Sequence, residues 1–364
     1  MKKVVILHPP LYPVDHKFFN LLGKYVDLTV YNFGAYPKLH QTWKSADFIS
    51  EDNNYKLKIF GNGIIDMKTQ LNPKVLLNLF RDKPDVVISV AFWIPSLYAS
   101  LLKNILNFKF IIKTDAINAT DKNISNLRYK IRKIICKNTD AFISASDLSS
   151  EYLQNLCSNV AVKKSLQTID IQEWRANVEK LPNKQTLRDE LDLPKNKTIL
   201  LGVGGFTAKK NWVSVFKQMK VLDNCIFVLV GFGEDKEKYD KFILENNLED
   251  RVKIISRKDG LELVKYYKAS DIFMFVSLYD QFGYVVPEAL TSNLAVICSS
   301  TTGASSLIED GYNGFVVEPT KDFNKEINLI IKDLKTFQDN AYKSIKKNSL
   351  DSKVKEYLEI LKDM

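Results

Sequence analysis

The sequence predicts an α/β protein built of two parallel-sheet domains in tandem. Three observations carry this. The chain has 364 residues, too many for one comfortable core and enough for two domains of roughly 150–180 residues. In its first half, short apolar runs bounded by Pro, Asn and Asp alternate with helical segments, the pattern of a parallel sheet with helices on both faces. After a polar stretch the same alternation starts again and completes a second unit.

Taken in order, "KKVVILH" reads as a first strand, "HKFFNLLGKY" as a helix and "VDLTVYNF" as a strand. "PKVLLNLFRDKPDVVISV" joins an amphipathic helix to a strand. "IPSLYASLLKNIL" precedes the strand "FKFIIKTDA", and "NTDAFISAS" supplies another. The second unit opens with "KTILLGVGGF", a strand ending in glycines, followed by the helix "NWVSVFKQMK" and the strand "CIFVLVGFGED". "KEKYDKFILENNL", "RVKIIS", "GLELVKYYKAS" and "DIFMFVS" continue the alternation, and "EALTSNL", "AVICSS", "GASSLIED" and "GFVVEP" close it.

The stretch between the units, "NVAVKKSLQTIDIQEWRANVEKLPNKQTLRDELDLPKNK", is polar and holds Pro182 and Pro194, with one short helix in "LRDELDLP". It places the boundary near residues 165–185. The expected division is 1–175, 176–345 and a terminal helix over 346–364. In that helix Val354, Leu358 and Leu361 form an apolar stripe that must pack on something.

The hydrophobic fraction, 45%, is that of a globular protein. No window of about 18 uncharged apolar residues exists, so no membrane span is expected. "MKKVVILHPPLYP" lacks the long apolar run and cleavage site of a signal peptide and reads better as a strand. Cys136, Cys157, Cys225 and Cys298 have no metal-ligand spacing, which fits reduced, mostly buried thiols in a cytoplasmic protein. The apolar, proline-rich setting of His8, His16 and His40 argues against a three-histidine zinc site.

The formal charge is +9, all of it within residues 1–180. Residues 101–140 hold nine Lys/Arg against three Asp. The segment "NLRYKIRKIICKNTD" reads as a basic helix. It is either a solvated face or a surface drawn to anionic lipid headgroups. No recognition motif accompanies the charge, so nucleic acid is not an expected partner.

Parallel sheets bind ligands beyond the carboxyl ends of their strands. Two loops there stand out. "LGVGGFTAKKN" puts Gly202, Gly204 and Gly205 after a strand, with Lys209 and Lys210 following. Glycines let backbone N–H groups approach an anion, and the lysines add charge. The bland alternative is a tight turn with solvated lysines. The loop is neither GxGxxG nor a Walker A motif. In "DQFGYVVPEAL", Asp280 and Glu288 flank Phe282 and Gly283 at the end of a buried strand. Glu288, after Pro287, either caps a helix or accepts hydrogen bonds from ribose hydroxyls. Asp280 is a candidate to grip the hydroxyls of a second sugar. "GFGED" at 231–235 and Thr302-Gly303-Ala304, ahead of an expected helix, are either further ligand turns or plain turns.

These elements resemble a known family. The pair Asp280 and Glu288 around Phe282-Gly283, the run "EALTSNLAVICSSTTGASSLIEDGYNGFVVEP", the loop "LLGVGGFTAKKN" and the strand "KASDIFMFVS" are similar to those of GT-B retaining glycosyltransferases of family 4 (glycosyl transferases group 1). The likeness covers about residues 198–320, and the N-terminal half matches only in pattern.

The resemblance implies a GT-B fold of two Rossmann-like parallel-sheet domains facing across a cleft. The N-terminal domain would take the acceptor and the C-terminal domain a nucleotide-sugar donor. The terminal helix would pack back on the N-terminal domain. Glu288 would hold the ribose hydroxyls and Asp280 would contact the transferred sugar. Phe282, Gly283, Tyr284 and Val285 would present backbone to sugar and phosphate. Lys210 would bind the diphosphate, beside Lys209, Gly204 and Gly205. Gly231 and Arg257 would complete the donor pocket. No metal and no cofactor is implied, the nucleotide sugar being a substrate.

Three departures from the family stand out. Gly205 occupies the place of an arginine, and Asp280 that of a glutamate. Thr114 stands where a histidine is usual, followed by Asp115, a cleft candidate for donor or acceptor hydroxyls or a helix cap. His8 and Asp15 are acceptor-side candidates.

The expected activity is transfer from a UDP-sugar to a glycan or lipid-linked glycan, in polysaccharide or lipopolysaccharide synthesis. The expected location is the cytoplasm or the cytoplasmic face of the inner membrane. The rivals are a non-catalytic partner subunit of the same fold and a nucleotide-sugar hydrolase or epimerase.

Overall fold

A computed structural model describes residues 1–33, 50–60 and 72–364 of the chain. His40 lies outside these residues. The chain divides into two compact units, Met1–Leu166 with Leu350–Met364, and Gln167–Ser349. The division falls ahead of residue 175 because the helix Ile171–Lys180 bonds into the second unit. Trp174 Nε1 donates to Ser292 Oγ at 2.9 Å, and the Arg175 guanidinium reaches the Thr291 carbonyl at 3.3 Å.

The first unit holds seven strands, β1 (Lys3–His8), β2 (Asp27–Asn32), β3 (Lys56–Ile59), β4 (Val86–Val90), β5 (Lys109–Thr114), β6 (Ala141–Ser144) and β7 (Ala161–Lys164). Their order is β3-β2-β1-β4-β5-β6-β7, with every pairing parallel. The short, polar strand β7 lies in the stretch that reads as linker. The period-two alternation of strands splits the apolar residues between two cores. Val4, Ile6, Ile88 and Ile111 face one core, and Val5, Leu7, Val87 and Ile112 face the other.

The terminal helix, Leu350–Lys362, fills the first of these cores with Val354, Tyr357, Ile360 and Leu361. The Tyr357 ring meets Phe18 edge-on at 4.9 Å, and Lys2 Nζ donates to the Leu361 carbonyl at 2.6 Å. Leu358 is only partly buried.

The second unit holds β8 (Thr198–Gly205), β9 (Cys225–Phe232), β10 (Val252–Ser256), β11 (Ile272–Phe275), β12 (Ala295–Ser299) and β13 (Gly314–Val317). Their order is β10-β9-β8-β11-β12-β13, again all parallel. Both sheets thus wind outward from a central strand to one edge, then return and wind to the other. This is the doubly wound, Rossmann-like topology.

Buried charge anchors the second sheet. Arg188, 3% exposed, donates to Asp271 Oδ2 at 2.6 Å and to the Ala269 carbonyl at 2.9 Å. The same carboxylate oxygen accepts the Ile199 N–H at 2.7 Å. The ion pair therefore ties the helix Lys184–Glu190 to the starts of β8 and β11. Among the described residues no helix is long and apolar enough to cross a membrane.

Candidate functional site

The winding direction of the second sheet reverses between β8 and β11. A crevice opens outside the carboxyl ends of two strands that diverge this way, and open α/β sheets bind ligands there. β8 ends on Gly204-Gly205, and the loop after β11 carries residues 276–284. The Leu278 N–H donates to the Lys209 carbonyl at 2.9 Å, so the two loops are joined through backbone.

Lys209 and Lys210 sit in a short 3₁₀ turn, Ala208–Lys210. Asn211 follows at φ 57° and locks that turn. Its Nδ2 donates to the carbonyls of Val276 (3.2 Å) and Pro319 (2.9 Å). The turn aims both ammonium groups at Asp280. Lys210 Nζ lies 2.6 Å from Oδ2 and Lys209 Nζ 3.5 Å from Oδ1. Lys210 also stands over the Phe275 ring and Lys209 over Tyr279, each 5.1 Å from the centroid. The three side chains form a cluster of net charge +1 at the switch point.

The 280–284 loop has a firm support. Gly303 N–H donates to the Asp280 carbonyl (3.1 Å) and Ala304 N–H to that of Phe282 (3.0 Å). These donors come from a 3₁₀ turn, Gly303–Leu307, where the sequence suggested the start of a helix. The turn's small residues brace the loop from behind. Phe282 is buried in the loop and Tyr284 is exposed. Gly283 takes φ 110°, and a Cβ there would lie 2.4 Å from the Phe275 ring. Only glycine fits this position.

The helix Val285–Thr291 then carries Glu288, one turn in. Tyr267 OH, from the helix Gly260–Ala269, donates to Glu288 Oε2 at 2.7 Å. Desolvation pushes the Glu288 carboxyl up to about 7, and the Tyr267 hydrogen bond opposes that rise. Tyr267 is itself held by Trp174 edge-on at 5.3 Å and by stacking on Phe273 at 5.6 Å. Glu288 is therefore a fixed acceptor with one oxygen already committed.

The far side of β8 is equally tight. A Cβ on Gly231 would lie 1.9 Å from the Gly204 carbonyl oxygen, so the ends of β8 and β9 approach closely. Arg257, just past β10, is bonded to Asp259 at 3.0 Å and stands over the exposed Phe232 ring at 5.6 Å. Phe232 and the Arg257 guanidinium, its charge matched by Asp259, stack just past the ends of β9 and β10.

Asp115 belongs to the first unit, just after β5, where it adds to the carboxylates around Lys113. Thr114, the last residue of β5, is buried, and its Oγ1 accepts the Ala116 N–H at 3.1 Å. His8 ends β1 with 5% exposure and Nδ1 2.8 Å from the Pro9 carbonyl. Burial lowers its pKa, and Asp15, 3.8 Å from Nε2, pulls the other way.

Two contributors are hidden at the level of sequence. Tyr267 lies among lysines in "VKYYKAS", where nothing distinguishes it from a core tyrosine. Trp174 lies in the stretch that reads as linker. The direct pairing of Lys210 with Asp280 is also unexpected, since the resemblance assigns them to phosphate and sugar separately. Among the described residues no cluster of three or more His, Cys, Asp or Glu side chains is placed to hold a metal ion.

Residues 183–349 match the family model for glycosyl transferases group 1. An uncharacterized glycosyltransferase of Methanocaldococcus jannaschii is 26% identical over 277 residues, 74% of this chain and 73% of that protein. The lipopolysaccharide core biosynthesis glycosyltransferase LpsE of Rhizobium meliloti is 22% identical, over 70% of this chain and 67% of its own length. Among solved structures, Anabaena HepE in complex with UDP superposes with a TM-score of 0.77 at 17% identity, covering 100% of both chains. The chain thus has the GT-B fold.

Proposed function

We propose that the protein is a retaining, metal-independent glycosyltransferase that moves a sugar from a UDP-sugar to a hydroxyl of a glycan or lipid-linked glycan. The observation that carries this reading is the Lys209–Asp280–Lys210 cluster beside Glu288 at the switch point of the second sheet. The group 1 match, LpsE and the UDP complex of HepE support the reaction class and the uridine nucleotide.

In this reading Glu288 accepts from the ribose hydroxyls, with Tyr267 fixing its second oxygen. Lys210 and Lys209 take the diphosphate. Backbone groups of Phe282, Gly283, Tyr284 and Val285 face sugar and phosphate, and Asp280 positions the sugar. Gly204, Gly205 and Gly231 allow the nucleotide close to backbone, and Arg257 with Phe232 offers a face for the base. The anomeric carbon–oxygen bond to the diphosphate breaks as the acceptor oxygen bonds on the same face. The acceptor proton passes to the departing phosphate oxygen. Lysine charge directed at that phosphate is the main stabilisation available. Asp115, after β5, is assigned to sugar hydroxyls. The basic first unit fits a peripheral enzyme on the cytoplasmic face of a membrane, in surface polysaccharide or lipopolysaccharide synthesis.

The test is a binding screen with UDP-, GDP- and ADP-sugars on the protein, Glu288→Ala and Lys210→Ala. Binding of a UDP-sugar that both variants lose is expected, followed by transfer with retained anomeric configuration that survives a chelator. No nucleotide binding by folded protein would overturn the donor site. Gly205 and Thr114, standing where arginine and histidine are usual, favour one second reading, a non-catalytic subunit. It would bind donor without turnover.

A further inference from the structure

The winding of the first sheet also reverses, between β1 and β4. Outside the carboxyl ends of those two strands lies a groove of about 480 Å³, within the first unit alone. Small-molecule sites run to roughly 300–1,000 Å³. Its walls are apolar, formed by Pro9, Val90, Phe92, Trp93, Leu127 and Ile131. Two arginines, Arg128 and Arg132, complete the lining.

The two arginines are in different states. Arg132 is bonded to Asp121 and to the Tyr152 hydroxyl, and its guanidinium stacks over Phe92 at 5.3 Å. Its charge is already matched. Arg128 is exposed and has no ion-pair partner among the described residues. Both sit on the helix Asn126–Lys137, whose "NLRYKIRKIICK" holds five basic residues and no acidic one. On the same helix Leu127 is 68% exposed, with Tyr129 and Ile134 also open. Large apolar side chains left in water beside unmatched positive charge mark a binding face. An apolar groove with a cationic rim has a specific chemical complement, a long apolar chain that ends in a phosphate.

We propose that this groove binds the lipid phosphate of the acceptor, with the chain along Phe92, Trp93, Leu127 and Ile131 and the phosphate on Arg128. The proposal rests on the glycosyltransferase reading and narrows its acceptor to one carried on a single anionic lipid. A glycan acceptor without a lipid would leave both the exposed leucine and the unmatched arginine without use. The groove would fix the lipid end of the acceptor in the first unit, leaving the sugar end free to be presented for transfer.

The experiment titrates farnesyl phosphate, kept below its micelle concentration, into the intact protein. Calorimetry gives the affinity, and hydrogen exchange of peptides spanning 90–94 and 126–132 gives the location. Inorganic phosphate and farnesol are the controls, and the variants are Arg128→Gln and Leu127→Ser, both at exposed positions. The expected result is saturable binding that protects both segments, with farnesol much weaker and inorganic phosphate silent. Each variant should weaken binding about tenfold, the scale of one charge-assisted hydrogen bond or one buried leucine.

Three results would overturn the proposal. One is protection elsewhere, or equal affinity in wild type and variants. A second is competition by inorganic phosphate as strong as by farnesyl phosphate, which would leave an anion site only. The third is binding to anionic phospholipid vesicles without binding to monomeric farnesyl phosphate, which would mark a membrane-adhesive face instead. No donor and no turnover enter the measurement. A failed donor screen therefore leaves this test intact, and a failed titration leaves the donor reading intact.

Discussion

The Lys210 ammonium stands 2.6 Å from the Asp280 carboxylate, and Lys209 approaches the other oxygen at 3.5 Å. In the proposed reading, an arriving diphosphate draws these lysines from Asp280. Lys210→Ala should weaken UDP binding at least about tenfold and cut turnover roughly 10²–10³-fold, the usual loss on removing one stabilising donor. Asp280→Asn removes the negative charge that holds both ammonium groups. It should leave UDP affinity unchanged or tighter while transfer falls. Calorimetry with UDP and a turnover assay separate the two. If Asp280→Asn weakens UDP binding as much as Lys210→Ala does, the role of Asp280 is to order the lysines.

Glu288 gives the site a pH dependence. Its carboxyl is raised from 4.5 to about 7 by desolvation. Below pH 4.5 it is protonated in folded and unfolded chains alike. Between 4.5 and about 7 only the unfolded chain ionises it, so folding loses stability as pH rises. Above about 7 the whole cost is present, on the order of 3 kcal/mol. Glu288→Gln should therefore gain stability over the wild type as pH rises through this window and hold the gain above it. Urea denaturation at three pH values checks this. Ribose hydroxyls donate better to the carboxylate, so UDP affinity in the wild type should climb towards about pH 7 and be flat in the variant.

Tyr267 tunes that profile. Its hydrogen bond to Glu288 is what opposes the rise. Tyr267→Phe keeps the ring contacts with Trp174 and Phe273 and removes only the donor. The acid limb of UDP affinity should move to higher pH, with little change in the plateau. An unmoved limb would show that Tyr267 serves packing alone.

Gly283 tests the loop. At φ 110°, with the Phe275 ring 2.4 Å from where a methyl group would stand, Gly283→Ala must move either ring or backbone. It should lose about 1–3 kcal/mol in stability and weaken UDP binding, because Asp280 and Glu288 lie on either side of the distortion. Ala substitution at Gly311, also at positive φ but in open space, is the control. It carries the backbone strain without the clash and should leave UDP affinity unchanged.

Much of this architecture is legible in the sequence. Buried parallel strands such as "DIFMFVS" and "CIFVLV" hold continuous apolar runs, and the glycine turns mark where β8 and β9 end. Strand β7 is not legible, because an edge strand of "AVKK" needs only one partner and little apolar surface. The helix Ile171–Lys180 reads as linker because its burial depends on a loop far along the chain, through Trp174 and Ser292. The carboxylates and lysines of the site stand out as charges in apolar or glycine-rich runs. Their pairing does not, since a sequence shows a residue's neighbours along the chain and not across a switch point.

The first unit is discontinuous. Its core is finished by Val354, Tyr357, Ile360 and Leu361, which leave the ribosome only after the whole second unit. The second unit, by contrast, is one unbroken stretch. Synthesis therefore runs against the usual order in which the amino-terminal domain folds first. The first unit waits, with an open apolar face, until its closing helix has been made. A chain broken off early would display that open face, so translation through this helix is itself a step in folding the protein.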